Sequence, residues 1–273
     1  FQATMRIYDE SGNSLMYVDD FQNSPDPVAI FTPKKSGSYY VELKDSLYRG
    51  RDDFVYSLRC GELPFISYIF PCGGDKNKET KVELFGVNLP ARKIKIPPSN
   101  SSDRFREIFV KSGALESNRV KFCRDTFPEK ILHPSENPPE TPSKIPCVFN
   151  GIIKRQYQKF FVKFNAKKGD ELNFETFASR LGYPVDTKLS IYKGDELVAS
   201  NDDIDDMSFG LVTAQFDSRI THKFAEGGTY VLKLEDSRNM GGDDFVFRLK
   251  ISKPEKQIDL SVSPGNPQIA KGS

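Results

Sequence analysis

The side chains that could do chemistry in this chain are few, and their spacing narrows the options. The two histidines, His133 and His222, belong to no HExxH motif, and neither a GxSxG elbow nor a glycine-rich phosphate loop occurs. Catalysis needs titratable groups converging on one pocket. The sequence offers no such set, so no catalytic residue is assigned and no enzyme is expected within these residues. Cys60, Cys72, Cys123 and Cys147 lack the CxxC spacing of a zinc site. They read either as small buried hydrophobes or as disulfide partners, and no pairing is selected.

The densest cluster of hard oxygen ligands is Asn201-Asp202-Asp203-Ile204-Asp205-Asp206. Asn201, Asp203 and Asp205 alternate as ligands do at the head of a calcium loop. Asp202, Asp203 and Asp205 are therefore the candidate metal ligands, with calcium as the ion. However, Asp206 stands where an EF-hand needs Gly, and Val212 where it needs a bidentate Glu, so an EF-hand is excluded. The competing reading is turn chemistry, since Asn and Asp side chains bond nearby backbone amides. It is the preferred one, and otherwise no cofactor is expected.

The elements that would position these groups are strands. In Tyr230-Val231-Leu232-Lys233-Leu234 the apolar residues share one face, and in Phe245-Val246-Phe247-Arg248-Leu249-Lys250-Ile251 Arg248 and Lys250 lie opposite them. Period-two alternation predicts a strand with one buried and one wet face. Similar runs at 160–164 and 172–176 are separated by glycine-rich turns, a spacing that predicts an all-β sandwich architecture. No amphipathic helix is evident.

Self-comparison exposes a duplication. Gly37-Ser38-Tyr39-Tyr40-Val41-Glu42-Leu43-Lys44-Asp45-Ser46 returns 191 residues later as Gly228-Thr229-Tyr230-Val231-Leu232-Lys233-Leu234-Glu235-Asp236-Ser237. At the same offset, five of the seven residues of 52–58 recur identically in 243–249. Met5-Arg6-Ile7-Tyr8 matches Leu189-Ser190-Ile191-Tyr192 at offset 184, and Asp19-Asp20 matches Asp202-Asp203 at offset 183. An eight-residue insertion before Asp217 accounts for the change. The copies predict equivalent strands near 37–59 and 228–250, with Phe54, Tyr56 and Leu58 pointing inward like Phe245, Phe247 and Leu249. His222 stands where the first copy has Phe31, so the fold does not require a histidine there.

A length of 273 residues suits two or three domains. A hydrophobic fraction of 37% suits small modules better than one large core. The net charge of +1, with no long basic run, argues against nucleic acid as a partner. No apolar stretch approaches the ~18 residues needed to span a bilayer, so membrane insertion is not expected. Phe1 opens the chain without a signal peptide and Ser273 follows the start of a new element, which reads as a cut from a longer protein.

The ordered set Asp186-Thr187 … Ile191-Tyr192 … Asn201-Asp202-Asp203 … Asp217-Ser218 … Gly228-Thr229-Tyr230 … Gly241-Gly242-Asp243 … Phe245, Phe247, Leu249 resembles the bacterial pre-peptidase C-terminal (PPC) domain. Pro64 … Pro71 … Gly73-Gly74 … Val82 … Leu84 … Gly86 … Asn88-Leu89 is similar to immunoglobulin-like domains of the IPT/TIG type. The resemblance implies jelly-roll-like PPC modules alternating with Ig-like modules, as in large exported bacterial proteins. It divides the chain into 1–60, the C-terminal half of a PPC-like sandwich; 61–130, an Ig-like domain; 131–253, a complete PPC-like sandwich opening on a Pro-rich linker; and 254–273, the start of another Ig-like module. Relatives that bind calcium do so near the module's start, where this chain carries the basic stretch Lys154-Arg155-Gln156-Tyr157-Gln158-Lys159. The expected function is a non-catalytic binding or scaffold region of a secreted or surface protein, extracellular or periplasmic. The alternative is a substrate-targeting accessory to a protease or polysaccharide hydrolase. Expected partners are an extracellular protein or polysaccharide and neighbouring domains of the parent chain.

Overall fold

The computed structural model describes residues 1–204 and 216–254. Among them the chain is all-β, a series of sheets interrupted by one 3-10 turn at Ser179–Leu181. Three strands, β1 (Ala3–Tyr8), β2 (Ser14–Val18) and β3 (Tyr40–Asp45), form a small antiparallel sheet in the order β2-β1-β3.

A two-layer unit follows. One layer is β4 (Phe65–Phe70), β6 (Thr80–Val87) and β7 (Lys93–Ile96), and the other is β5 (Gly73–Asp75), β8 (Phe105–Ile108) and β11 (Val120–Asp125). A short hairpin, β9 (Lys111–Ser112) with β10 (Leu115–Glu116), caps it. Ile66, Ile69, Val82, Leu84, Ile108 and Phe122 fill the space between the layers and are buried.

The largest unit is a sandwich. Its five-stranded sheet runs β12 (Glu129–Ile131), β13 (Cys147–Ile152), β20 (Val246–Ser252), β15 (Glu171–Phe177), β18 (Arg219–Lys223). Its four-stranded sheet runs β14 (Phe160–Ala166), β19 (Gly228–Asp236), β16 (Thr187–Lys193), β17 (Glu196–Asn201). Aromatic rings from both layers interlock: Phe160 meets Phe247 edge-on at 4.9 Å, and Phe164 touches Phe174, Phe224 and Tyr230 within 5.9 Å. The Pro-rich segment after β12 forms no strand. It lies along the edge strand β14, where Ser135 N donates to Lys159 O and Ser143 N to Lys163 O, so an open edge is partly covered.

The first sheet repeats part of the sandwich pair for pair. Ala3 faces Asp45 and Tyr8 faces Tyr40, as Thr187 faces Asp236 and Tyr192 faces Val231. Between β1 and β2 the register slips at Ile7/Tyr8, and between β16 and β17 it slips at Ile191/Tyr192. The turns match too. Asp45 accepts from Gln2 N and Arg49 N, and Asp236 accepts from Asp186 N and Met240 N, these being the residues the two offsets pair. Tyr48 and Asn239 both take left-handed backbone, at φ 54° and 57°.

Two expectations are corrected. Residues 54–60 form no strand, and Val55, Tyr56 and Leu58 are exposed, while Phe54 is half-buried against Phe1. The reason is pairing: β20 is held between β13 and β15, and residues 54–60 have no such flanking strands among the described residues. The second correction concerns β20, whose Arg248 and Lys250 are buried rather than wet. The two-layer unit covers that face, and one hydrophobic core runs from Ile66 to Ile251 through both units. The same contact buries β15 on both faces from Phe174 onward.

Candidate functional site: the junction between units

The junction is built around Arg248, whose side chain is 0% exposed. Its guanidinium grips Glu129 with two bonds, Nη1 to Oε2 at 2.7 Å and Nη2 to Oε1 at 2.5 Å. Nη2 also donates to Asp125 Oδ2 at 3.2 Å, and Lys250 Nζ reaches Asp125 Oδ1 at 3.2 Å. Asn150 closes the set, donating to Glu129 Oε2 at 2.7 Å and accepting from Arg248 Nη1. Two cations and two carboxylates thus balance in a site from which water is largely excluded, the condition under which buried charge is tolerated.

The glycines of the Gly73-Gly74 motif make room for this arrangement. A Cβ on Gly73 would lie 2.6 Å from Arg248 Nη1 and 2.5 Å from Cys123 O. A Cβ on Gly74 would lie 2.1 Å from Thr80 Oγ1. The cysteines are all free thiols: Cys60 is exposed and Cys72, Cys123 and Cys147 are buried. Burial pushes the Cys72 thiol far up and the Cys123 thiol up to about 11, so both pack as neutral apolar groups.

Further ties cross the junction. Buried Tyr183 accepts from Ile69 N at 3.3 Å through its hydroxyl, and Lys121 Nζ donates to Arg180 O at 3.0 Å. From the first sheet's side, Gln22 Nε2 donates to Ser67 O and to Asp244 Oδ2, and Asn23 Nδ2 donates to Tyr183 O. One loop therefore touches both larger units. Beside the junction lies a cleft of 470 Å³ lined by, among others, Gly73, Gly74, Thr80, Lys81, Glu129 and Asn150. It brings together carboxylates and amines but neither histidine.

The sequence-derived metal residues lie elsewhere. Asp202 and Asp203 follow β17 and are exposed, while Asp205 is outside the described residues. Asn201 Oδ1 accepts from Arg219 N at 2.9 Å and Asp202 O accepts from Ser218 Oγ. These bonds tie the end of β17 to the start of β18. Among the described residues no group of three or more His, Cys, Asp or Glu side chains could hold a metal ion. His133 is exposed, and His222 stands on β18 edge-on to Phe224 at 4.8 Å.

Sequence reasoning missed a second buried network, centred on Asp217. Its Oδ1 accepts from the amides of Ala178 and Ser179, and its Oδ2 from Arg180 N and Nε. Arg180 continues to Glu175, which Arg219 also grips at 2.7 Å. Burial alone would raise the Glu175 carboxyl, but the charges of Arg180 and Arg219 outweigh it and hold the group below its usual range. The signal was present in the repeat: Asp217 matches Asp26, yet Asp26 is exposed, and its backbone amide donates to Ser24 Oγ.

Among the described residues no helix is long and apolar enough to cross a membrane. No family description matches the chain, and no curated protein matches it. Among solved structures, the pre-peptidase C-terminal domain of a collagenase from Bacillus anthracis aligns at a TM-score of 0.30 and 11% identity, over 43% of this chain and 100% of that one.

Proposed function

We propose that this chain is a non-catalytic, rigid binding and spacing region of a larger secreted or surface bacterial protein. The observation that carries the reading is the burial of Arg248 and Lys250 between the two larger units. Beads on flexible linkers keep such residues wet. Here a charged cluster and a shared apolar core join them, which sets a fixed orientation rather than a hinge. In this reading residues 1–60, 61–130 and 131–253 are modules in series, and the coincident registers of the first sheet and the sandwich support a duplication. The acidic stretch at Asp202 and Asp203 is read as part of the β17–β18 connection, tied there by the Asn201 side chain and the Asp202 carbonyl, rather than as a calcium site.

Small-angle scattering on the full chain tests this. One compact particle is expected, with dimensions unchanged between low and half-molar salt. A distribution of extended shapes would exclude a rigid spacer. Peptidase, esterase and glycosidase assays on the same material are expected to show no turnover, and activity lost on His222→Ala would overturn the non-catalytic reading.

A further inference from the structure

The outer face of the β2-β1-β3 sheet differs from its counterpart in ways the fold does not demand. Arg6, Tyr17 and Tyr48 stand where the sandwich has Ser190, Ser200 and Asn239. In the sandwich, Ser190 and Ser200 simply bond to each other across strands at 3.1 Å. In the first sheet the same cross-strand position holds Arg6 over the Tyr17 ring, 5.0 Å from its centroid. Tyr48 is 84% exposed and holds left-handed backbone at φ 54°. Asn tolerates that conformation, whereas for a bulky aromatic it is an outlier that points to function.

These residues line a depression of 140 Å³ together with Tyr8, Glu42 and Lys44. Glu42 is already engaged, by Lys44 Nζ at 2.7 Å and by the Tyr8 hydroxyl at 2.9 Å. Asp45, at the rim, is held by Arg49. Arg6 also lines the depression, its guanidinium stacked on Tyr17 and its charge felt by Glu42, but no carboxylate is hydrogen-bonded to it among the described residues. An arginine fork matches a carboxylate with two parallel bonds. Tyrosine rings offer an apolar face and a polar edge at low entropic cost.

We propose that this face is a binding site for a carboxylated saccharide, a uronic-acid unit of a polysaccharide. The C–H face of the sugar ring lies on Tyr17 or Tyr48, its carboxylate meets Arg6, and its hydroxyls meet Glu42, Lys44 and Tyr8. A peptide is the poorer fit, because a sheet face presents side chains and leaves an extended main chain without partners, which only a sheet edge supplies. The site gives a ligand class to the binding reading above and rests on it. A failed titration would leave the scattering result, and hence the spacer reading, standing.

The test is calorimetric titration of the full chain with a hexamer of galacturonic acid, followed in parallel by tyrosine emission, since the chain has no Trp. Saturable 1:1 binding is expected, weakened about tenfold or more in Arg6→Ser and in Tyr48→Asn and by added salt. Both variants install the residue that the sandwich carries at the same place, so folding is retained. Tyr48→Asn should raise the melting midpoint while it lowers affinity. Absence of saturable binding at millimolar hexamer overturns the proposal. So do unchanged affinities in both variants, or equal binding of the fully methyl-esterified hexamer.

Discussion

Replacing Arg248 by Met removes a cation that joins Glu129 and Asp125 across the junction while keeping most of the side-chain volume. Deleting one partner of a buried ion pair costs ~3–5 kcal/mol, because the other charge stays buried and unpaired. The lower end is expected here. Glu129 is 21% exposed and can turn toward water, and Asp125 keeps Lys250 at 3.2 Å. A loss of about 3 kcal/mol follows. Urea is the denaturant of choice, since a salt such as guanidinium chloride would screen the interaction being measured. The double variant Arg248→Met/Glu129→Gln should lose less than the sum of the single changes, by about 0.5–3 kcal/mol. Two transitions should also replace one in the single variant, as the two-layer unit and the sandwich uncouple. A loss under about 1 kcal/mol, with one transition retained, would refute the clamp and with it the rigid orientation.

Three other outcomes are expected. Phe247→Ala should cost ~3–5 kcal/mol in the same urea assay, since Phe247 is fully buried against Phe160 and over Gly151. Glu175 has a folded pKa below its ordinary value of 4.5, so its stabilising contribution is complete above that pH and is lost as pH falls through the depressed value. Thermal melts should therefore decline on acidification below about pH 4.5, less steeply in Glu175→Gln; parallel declines would place the acid sensitivity elsewhere. Melting curves in millimolar calcium and in chelator should coincide for the wild type, and a shift of several degrees abolished by Asp203→Asn would instead establish a metal site at the acidic turn.

Much of the fold was legible from local pattern. Alternation at 160–164 and 230–234 predicts strands because a half-buried strand must present apolar side chains every second residue. The duplication at offsets 184 and 191 carries register as well, because paired strands that keep their sequence keep their partners. The same alternation misled at β20. Arg248 and Lys250 sit on the polar phase of the period, and local pattern treats polar as wet. Only the docked two-layer unit, bringing Asp125 from more than a hundred residues away to join Glu129 of the sandwich's own edge strand, turns that face into an interior. Residues 54–60 show the converse. Three of their seven residues recur identically at 245–251, yet a strand needs a hydrogen-bonding neighbour, and that belongs to the tertiary arrangement. Composition and motif spacing by themselves determined the all-β class and the lack of a catalytic signature. Long-range partners decided which charges are buried, which aromatics are exposed and which polar residues face one another, because burial and pairing are properties of contacts that no local stretch of chain contains.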